Sequence, residues 1–429
     1  MKKLSLLIFV LFFATKASSQ DLLIKDINII TMTSDTLLKK QSVWIHNGII
    51  KEIGTFKKLQ KNKKFKIING TGKFLMPALA DMHVHLPEKE KIEKLLLANI
   101  AAGVTRIRIM NSEVSQLELK ERLKSSGQLI SPVIYYSQLI NRTDTYSEAQ
   151  ADSLIRLIKH NHIDFIKLMG LSNEQTFDNL TKAAKKHAVI MCGHYPVYQK
   201  DGKPFMLDME KTIKSGFKSI EHLGGYTRLN NEDEIKKAVQ FTKEYNLFNC
   251  PTIDWDIMAF GQQYPDEYQK RLTYQMLPKS ITKNWESNYS SSIDKAGGSV
   301  KMIESRDKYK PNFDLKIKIL KRLYANGCLL LIGGDAGNDF QADGFNIYEE
   351  MMNWSKVGID NYTILKSATV TPSLFFNQSH EWGTIEVGKK SEMIILSKNP
   401  LEDIKNIATI ETTIVGETVY KNKELLDLL

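Results

Sequence analysis

Between residues 75 and 334 short apolar runs alternate with amphipathic stretches of roughly 12–15 residues, the pattern of repeated βα units and a parallel sheet. This alternation limits the possible folds more than any other feature. Eight runs qualify as strands: 75–81, 103–110, 132–138, 164–169, 189–194, 218–223, 247–253 and 329–334. Helical spacing fills the gaps. From Lys91 to Ala102, Ile92, Leu95, Leu96 and Ile100 share a face, and from Ser147 to His160, Ala151, Leu154, Ile155 and Ile158 do. Eight such units predict an α/β fold, a closed (β/α)8 barrel.

The two ends of the chain read differently. Residues 21–74 hold short β-rich runs, among them Ser42-Val43-Trp44-Ile45-His46 and Ile49-Ile50-Lys51-Glu52-Ile53 on either side of Asn47-Gly48, a strong hairpin signal. β-rich runs return after residue 376, at Ser391–Ser397 and Thr412–Tyr420, with a turn-strand-turn at Gly383–Gly388. The ends are expected to pair into a small β-sandwich beside the barrel. The resulting division is 20–74 and 376–429 for the sandwich and 75–375 for the barrel. Residues 254–311 form one long interruption with eight aromatics, from Trp255 to Tyr309. A connection of that length and content predicts a folded lid.

Lys2 and Lys3 precede an apolar run from Leu4 to Ala14, and Ala17-Ser18-Ser19 supplies small residues at a cleavage point. Residues 1–19 therefore read as a secretory signal peptide, and the mature protein as exported, periplasmic or secreted, with no stable membrane anchor. Removing Lys2, Lys3 and Lys16 lowers the formal charge from +10 to +7. The remaining lysines are scattered. The densest run (Lys57, Lys58, Lys61, Lys63, Lys64) reads as a solvated turn, and no nucleic-acid partner is expected. A homo-oligomer is left open. Cys192, Cys250 and Cys328 are too few and too dispersed for a disulfide framework and read as buried thiols.

The chemistry concentrates at strand ends. Asp81-Met82-His83-Val84-His85 closes the first run, and two histidines one residue apart project to the same side of an extended strand. Lys167, His194, His222 and Asp335 stand late in, or just beyond, the fourth, fifth, sixth and eighth runs. Barrel enzymes keep their reacting groups at that level. Any one of these residues alone reads more readily as a satisfied core group than as a ligand, whereas the set together reads as a metal site.

With these motifs the chain resembles the amidohydrolase superfamily, in its imidazolonepropionase-like and prolidase-like branch. Gly103-Val104-Thr105-Arg106-Ile107-Arg108, Phe165-Ile166-Lys167, Ile220-Glu221-His222, Gly334-Asp335-Ala336-Gly337 and the Gly383–Lys390 tail carry the likeness, together with Val43–Ile50 and Asn399–Ile404. The resemblance implies two divalent metal ions, zinc first among them. His83 and His85 would bind the more buried ion, and His194 and His222 the second. Lys167, carboxylated by carbon dioxide, would bridge them. Asp335 would bind the first ion and shuttle the proton as general base and acid. Two such ions polarise a carbonyl and ionise a bridging water. An unmodified ammonium would repel a cation, so Lys167 can serve only as its carbamate. The expected reaction is cleavage of a C–N amide bond in a dipeptide or small cyclic amide. The alternatives are a lactone or phosphoester on the same site, or a non-catalytic binding protein. The sequence departs from the family pattern at Ala78, at Ile109 and at Ser391-Glu392-Met393-Ile394, none of them a ligand. Arg106 and Arg108, which share a strand face, and Tyr195 and Tyr226, near the ligand histidines, are candidate substrate contacts. Glu221 is expected to face away from the site, toward the helical layer.

Overall fold

The computed structural model describes residues 21–60, 64–112, 130–229, 231–260 and 265–429. The expected signal peptide, and Lys61 and Lys63 of the lysine run, lie outside the described residues. No described helix is long and apolar enough to cross a membrane.

Among the described residues, nine parallel strands of the barrel region build a TIM-barrel-like α/β fold. They are β1 (Leu79–Val84), β2 (Val104–Ile109), β3 (Val133–Tyr135), β4 (Ser137–Ile140), β5 (Phe165–Leu168), β6 (Ile190–Gly193), β7 (Ser219–Glu221), β8 (Phe248–Cys250) and β9 (Leu329–Leu330). All neighbouring pairs are parallel. The ladder is not one closed ring. It forms a three-stranded sheet, β1-β2-β3, and a six-stranded sheet, β9-β8-β7-β6-β5-β4. Single backbone bonds cross both seams. Met82 N donates to Ile332 O at 3.0 Å and Asp335 N to His83 O at 2.8 Å, while Leu139 N donates to Ser112 O at 3.2 Å. The seam between β1 and β9 matters most, because it lies beside His83 and Asp335.

The expected third strand is broken at Tyr136, so 132–138 becomes β3 and β4. The expected first strand, 75–81, is also divided. Phe74–Pro77 belongs to the end sheet and Leu79–Val84 to the barrel, so the chain crosses from one body to the other at Ala78.

The chain ends do join, but as a single eight-stranded sheet, not two hydrogen-bonded sheets in a sandwich. Leu22–Ile30 is its centre. It pairs antiparallel with Leu37–His46 and parallel with Phe74–Pro77, which in turn pairs with Glu392–Leu396 from the far end of the chain. Leu22, Ile24, Val43, Ile45, Leu75, Met393 and Ile395 form one apolar cluster on this sheet. Burying such a face against its neighbours stabilises the strands that carry it, at about 25 cal/mol per Å² of apolar surface removed from water. The Asn47-Gly48 turn connects Leu37–His46 to Ile49–Gly54 as expected. Thr412–Tyr420 divides into Ile410–Val415 and Thr418–Lys421, and no strand forms at Gly383–Gly388.

The helices follow their sequence signals. Ser147 caps Glu148–His160 through a capping box with Gln150, two hydrogen bonds that satisfy otherwise orphaned donors. The long interruption is helical: Ile253–Ala259, Leu272–Met276, Lys279–Thr282, Trp285–Lys295 and the start of Ser299–Ala325. Pro311 sits inside that last helix, beside the barrel mouth.

Candidate metal centre

Strand alternation aims Asp81 and His83 inward from β1, and His85 follows just past its end. The Asp335 Oδ1 atom lies 3.2 Å from His85 Nε2 and 3.6 Å from His83 Nε2. These three ligand atoms lie within 4.8 Å of one another. His222 joins them: its Nδ1 is 3.6 Å from Asp335 Oδ2, and its ring centre is 4.8 Å from that of His83 and 4.9 Å from that of His194. Lys167 is fully buried on β5, one strand away from His194. The structure thus brings together His83 and Lys167, on β1 and β5, with His85, His194, His222 and Asp335, which lie beyond the ends of β1, β6, β7 and β9.

Backbone geometry makes this possible. His222 has φ +60° and Asp335 φ +44°, both in the left-handed region that non-glycine residues rarely adopt. On β7, Ser219 and Glu221 already face the interior, so plain alternation would turn His222 outward. The left-handed turn at His222 lets two consecutive residues, Glu221 and His222, both face in. Such strain persists where surrounding structure over-determines it, and it clusters at functional sites. Glycines provide close approach. A Cβ on Gly333 would lie 2.6 Å from the Cβ of His83 and 2.6 Å from Cys250 Sγ. A Cβ on Gly193, at φ +134°, would lie 2.4 Å from Leu168 O and 3.0 Å from Lys167 Cδ.

Below the ligands lies a buried charge network. Glu221 Oε2 accepts from His83 Nδ1 at 2.9 Å, which leaves His83 Nε2 facing Asp335. Arg108 Nη2 donates to both Glu221 oxygens, at 2.9 and 2.8 Å, and Arg108 Nε donates to Met82 O at 2.6 Å. Burial pushes the Glu221 carboxyl up, but the charge of Arg108 and the bond to His83 outweigh it and hold the group well below the usual carboxylate range. Burial also lowers the His83, His194 and His222 pKa values, so the imidazoles stay neutral, as ligands must. Asp335 is held below its ordinary value: burial raises it, and the neighbouring His83 and His85 prevail. His222 Nδ1 is oriented by Thr252 Oγ1 at 2.6 Å. Such partners fix the tautomer and aim of a metal-binding imidazole.

Two buried atoms test whether this set suits a metal. Lys167 Nζ and His83 Nε2 are both solvent-shielded and have no hydrogen-bond partner. An unsatisfied buried polar atom is costly, and two of them pointing into one ligand cluster are explained by groups that fill it. Burial lowers the Lys167 pKa, which favours its neutral amine. The donor set, imidazoles with carboxylates, suits zinc or a similar divalent ion.

The substrate candidates fare differently. The Arg106 side chain is spent on the end sheet: Nε and Nη2 donate to the two Glu392 oxygens at 2.7 Å each, and Nη1 donates to Tyr135 Oη at 2.6 Å. Arg108 is wholly buried on Glu221. Tyr226 is wholly buried and its hydroxyl meets Thr242 Oγ1 at 2.5 Å. None of these three has a face turned to a substrate. Tyr195 lines the cavity described below, but its hydroxyl is committed to Leu207 O at 2.6 Å. The expectation for Glu221 is also corrected: it points into the barrel, because Ser219 and Glu221 share the inward face.

A cavity of about 880 Å³ opens beside His194 and His222. Arg142, Tyr198, Arg228, Pro311 and Lys316 are among its lining residues, so the long helix from the interruption forms part of its wall. Sequence reasoning missed Arg142, on the turn after β4, and Arg228, in the short 3-10 helix Tyr226–Arg228 after β7; neither has a periodic signal. It also missed Glu221 and Thr252. The Ser219-x-Glu221 alternation was a usable signal for Glu221; the partner of His222 had none.

Comparisons with known proteins agree with this architecture. Residues 275–419 match the amidohydrolase family. A 5-methylthioadenosine/S-adenosylhomocysteine deaminase from Caldanaerobacter subterraneus subsp. tengcongensis is 24% identical, with 94% of each chain covered. Among solved structures, a Xaa-Pro dipeptidase with bound methionine superposes with TM-score 0.68 at 20% identity, covering 94% of this chain and 100% of the other. A putative prolidase from Bifidobacterium longum gives TM-score 0.69 at 16% identity, covering 95% and 98%. The chain is thus similar to the amidohydrolase family over residues 275–419 and shares the fold of these solved structures over nearly its whole length.

Proposed function

We propose that this protein is an exported, binuclear metal-dependent amidohydrolase that cleaves the amide bond of a dipeptide or small cyclic amide. The observation that carries the reading is the buried, unpartnered Lys167 Nζ among four histidines and Asp335. His83, His85 and Asp335 would hold one ion and His194 and His222 the other, with Lys167 as a carbamate between them. Carbamate formation joins the free amine to carbon dioxide and releases one proton. Bound ions supply Lewis acidity to the scissile carbonyl and to a water. Asp335 takes the proton of that water and delivers it to the leaving nitrogen. Residues 1–19 are removed on export, and residues 254–311 act as the lid over the mouth.

Within this reading the cavity favours a dipeptide over a neutral cyclic amide. Arg142 and Arg228 line it, and neither has a carboxylate partner among the described residues. Lys316 lines it too, paired with Asp256 at 2.7 Å. A free C-terminal carboxylate would meet a guanidinium in a charge-assisted, bidentate pair.

The test is a panel assayed with zinc and bicarbonate: Xaa-Pro and other dipeptides, their C-terminal amides, small cyclic amides, 5-methylthioadenosine, a lactone and a phosphotriester. Dipeptide turnover that a chelator abolishes and zinc restores is the expected result. Turnover confined to the lactone or phosphotriester would overturn the amide assignment, and turnover confined to 5-methylthioadenosine would make the protein a deaminase. Amidating the preferred dipeptide should raise KM by about tenfold or more, the worth of one charged hydrogen bond. In Arg142→Met that difference between acid and amide should shrink; an unchanged ratio in Arg142→Met and in Arg228→Met would remove the arginines from recognition.

A further inference from the structure

The long interruption reaches the ligand set through buried polar contacts. Asp254, in the first turn of Ile253–Ala259, is fully buried and receives Arg271 end-on: Nη1 to Oδ1 at 3.0 Å and Nη2 to Oδ2 at 2.9 Å. The same carboxylate accepts from Gln341 Nε2 and Asn353 Nδ2, each at 3.0 Å. Arg271 Nη2 also donates to Asn346 Oδ1 at 3.3 Å, and Asn346 Nδ2 donates to Gly334 O at 2.5 Å. Gly334 leads directly into Asp335. On the other flank, Thr252 lies two residues before Asp254 and orients His222 Nδ1. Glu350 fastens this corner by accepting from the backbone of Ile253 at 3.0 Å and of Asp254 at 2.7 Å.

From this we infer that Arg271 is a positioning residue for the metal centre: through Asp254 and Asn346 it fixes Asp335 relative to His222, although it touches neither. The inference rests on the reading of His222 and Asp335 as ligands. A buried ion pair is a weak stabiliser, since the cost of desolvating both charges offsets their attraction. What a bidentate Arg–carboxylate pair provides is geometry: two parallel bonds fix the distance and plane of the two groups. Here that geometry lies between the chain entering Asp335 and the segment whose Thr252 orients His222. Both ligands have left-handed backbones, which hold only while their surroundings enforce them. The interruption therefore completes the ligand geometry as well as covering the mouth.

The experiment is a cobalt(II) titration of the full-length mature protein in bicarbonate buffer, followed by visible absorption, on wild type, Arg271→Met and Arg271→Lys. Near-ultraviolet circular dichroism checks that each variant is folded. Wild type should bind cobalt. Arg271→Met should bind about tenfold or more weakly, the effect expected of lost outer-shell support, with shifted visible bands. Arg271→Lys, which keeps the charge, should recover part of the affinity. Folded Arg271→Met with wild-type affinity and bands overturns the inference. If Arg271→Met does not fold, Asn346→Ser cuts the bridge from Arg271 to Gly334 while leaving the Arg271–Asp254 pair in place, and unchanged cobalt binding there overturns it equally. Wild type that binds no cobalt defeats the metal reading itself, a separate outcome.

Discussion

Replacing Lys167 with alanine should reduce turnover by about 10³-fold or more and leave the protein short of its full metal complement. Lys167 is fully buried on β5, and its Nζ has no hydrogen-bond partner. As an ammonium it would be a buried charge with no hydrogen-bond partner, a form that burial disfavours more than the nearby Glu221 carboxylate supports it. As a carbamate it becomes an anion with two oxygens, able to bind two cations. Two measurements check this on the same sample. Metal analysis after loading in zinc and bicarbonate should fall from about two equivalents to one or fewer. Mass spectrometry of the intact wild type under gentle conditions should show the added carbon dioxide, absent from the variant. Wild-type turnover in Lys167→Ala would remove the lysine from the site. Loss of folding is not expected, because alanine deletes a charge that nothing pairs.

Asp335→Asn should lower kcat by about 10²–10⁴-fold, the usual contribution of general acid–base catalysis. The amide keeps the size and one ligand oxygen of the carboxylate but cannot accept the proton. Its approach to His85, 3.2 Å, and to His83 and His222, 3.6 Å each, puts this carboxylate at the centre of the ligand set. KM should change little if the residue acts on the reacting water alone. A loss seen mainly in KM, with kcat retained, would instead make Asp335 a binding residue. Steady-state kinetics on the best dipeptide of the panel, with metal content measured in parallel, separates these outcomes.

The six candidate ligands were legible in the sequence for a simple reason. Each stands at, or just past, the end of an apolar run, and a parallel barrel presents all such ends to one mouth. The β-rich termini were legible too, through the Asn47-Gly48 hairpin and the runs after residue 376. Their union was only half legible: apolar alternation says that a strand has a face to bury, not whether it joins one sheet or two. Arg106 and Arg108 show the same gap. Their shared face was read correctly, but whether that face holds substrate or partners depends on Glu392 and Glu221, which are 286 and 113 residues away in sequence.

What the sequence by itself determined is the βα repeat and the candidate ligand residues it carries, because strand period and strand-end placement are local properties. What only the tertiary structure decided is how those residues are held. His222 joins Glu221 on the inward side because it takes a left-handed backbone conformation. Thr252 orients His222, and Arg271 reaches the Gly334–Asp335 peptide through Asp254 and Asn346. These arrangements depend on contacts between segments tens of residues apart, and on two strained φ angles that only the packed barrel enforces. No local pattern encodes them.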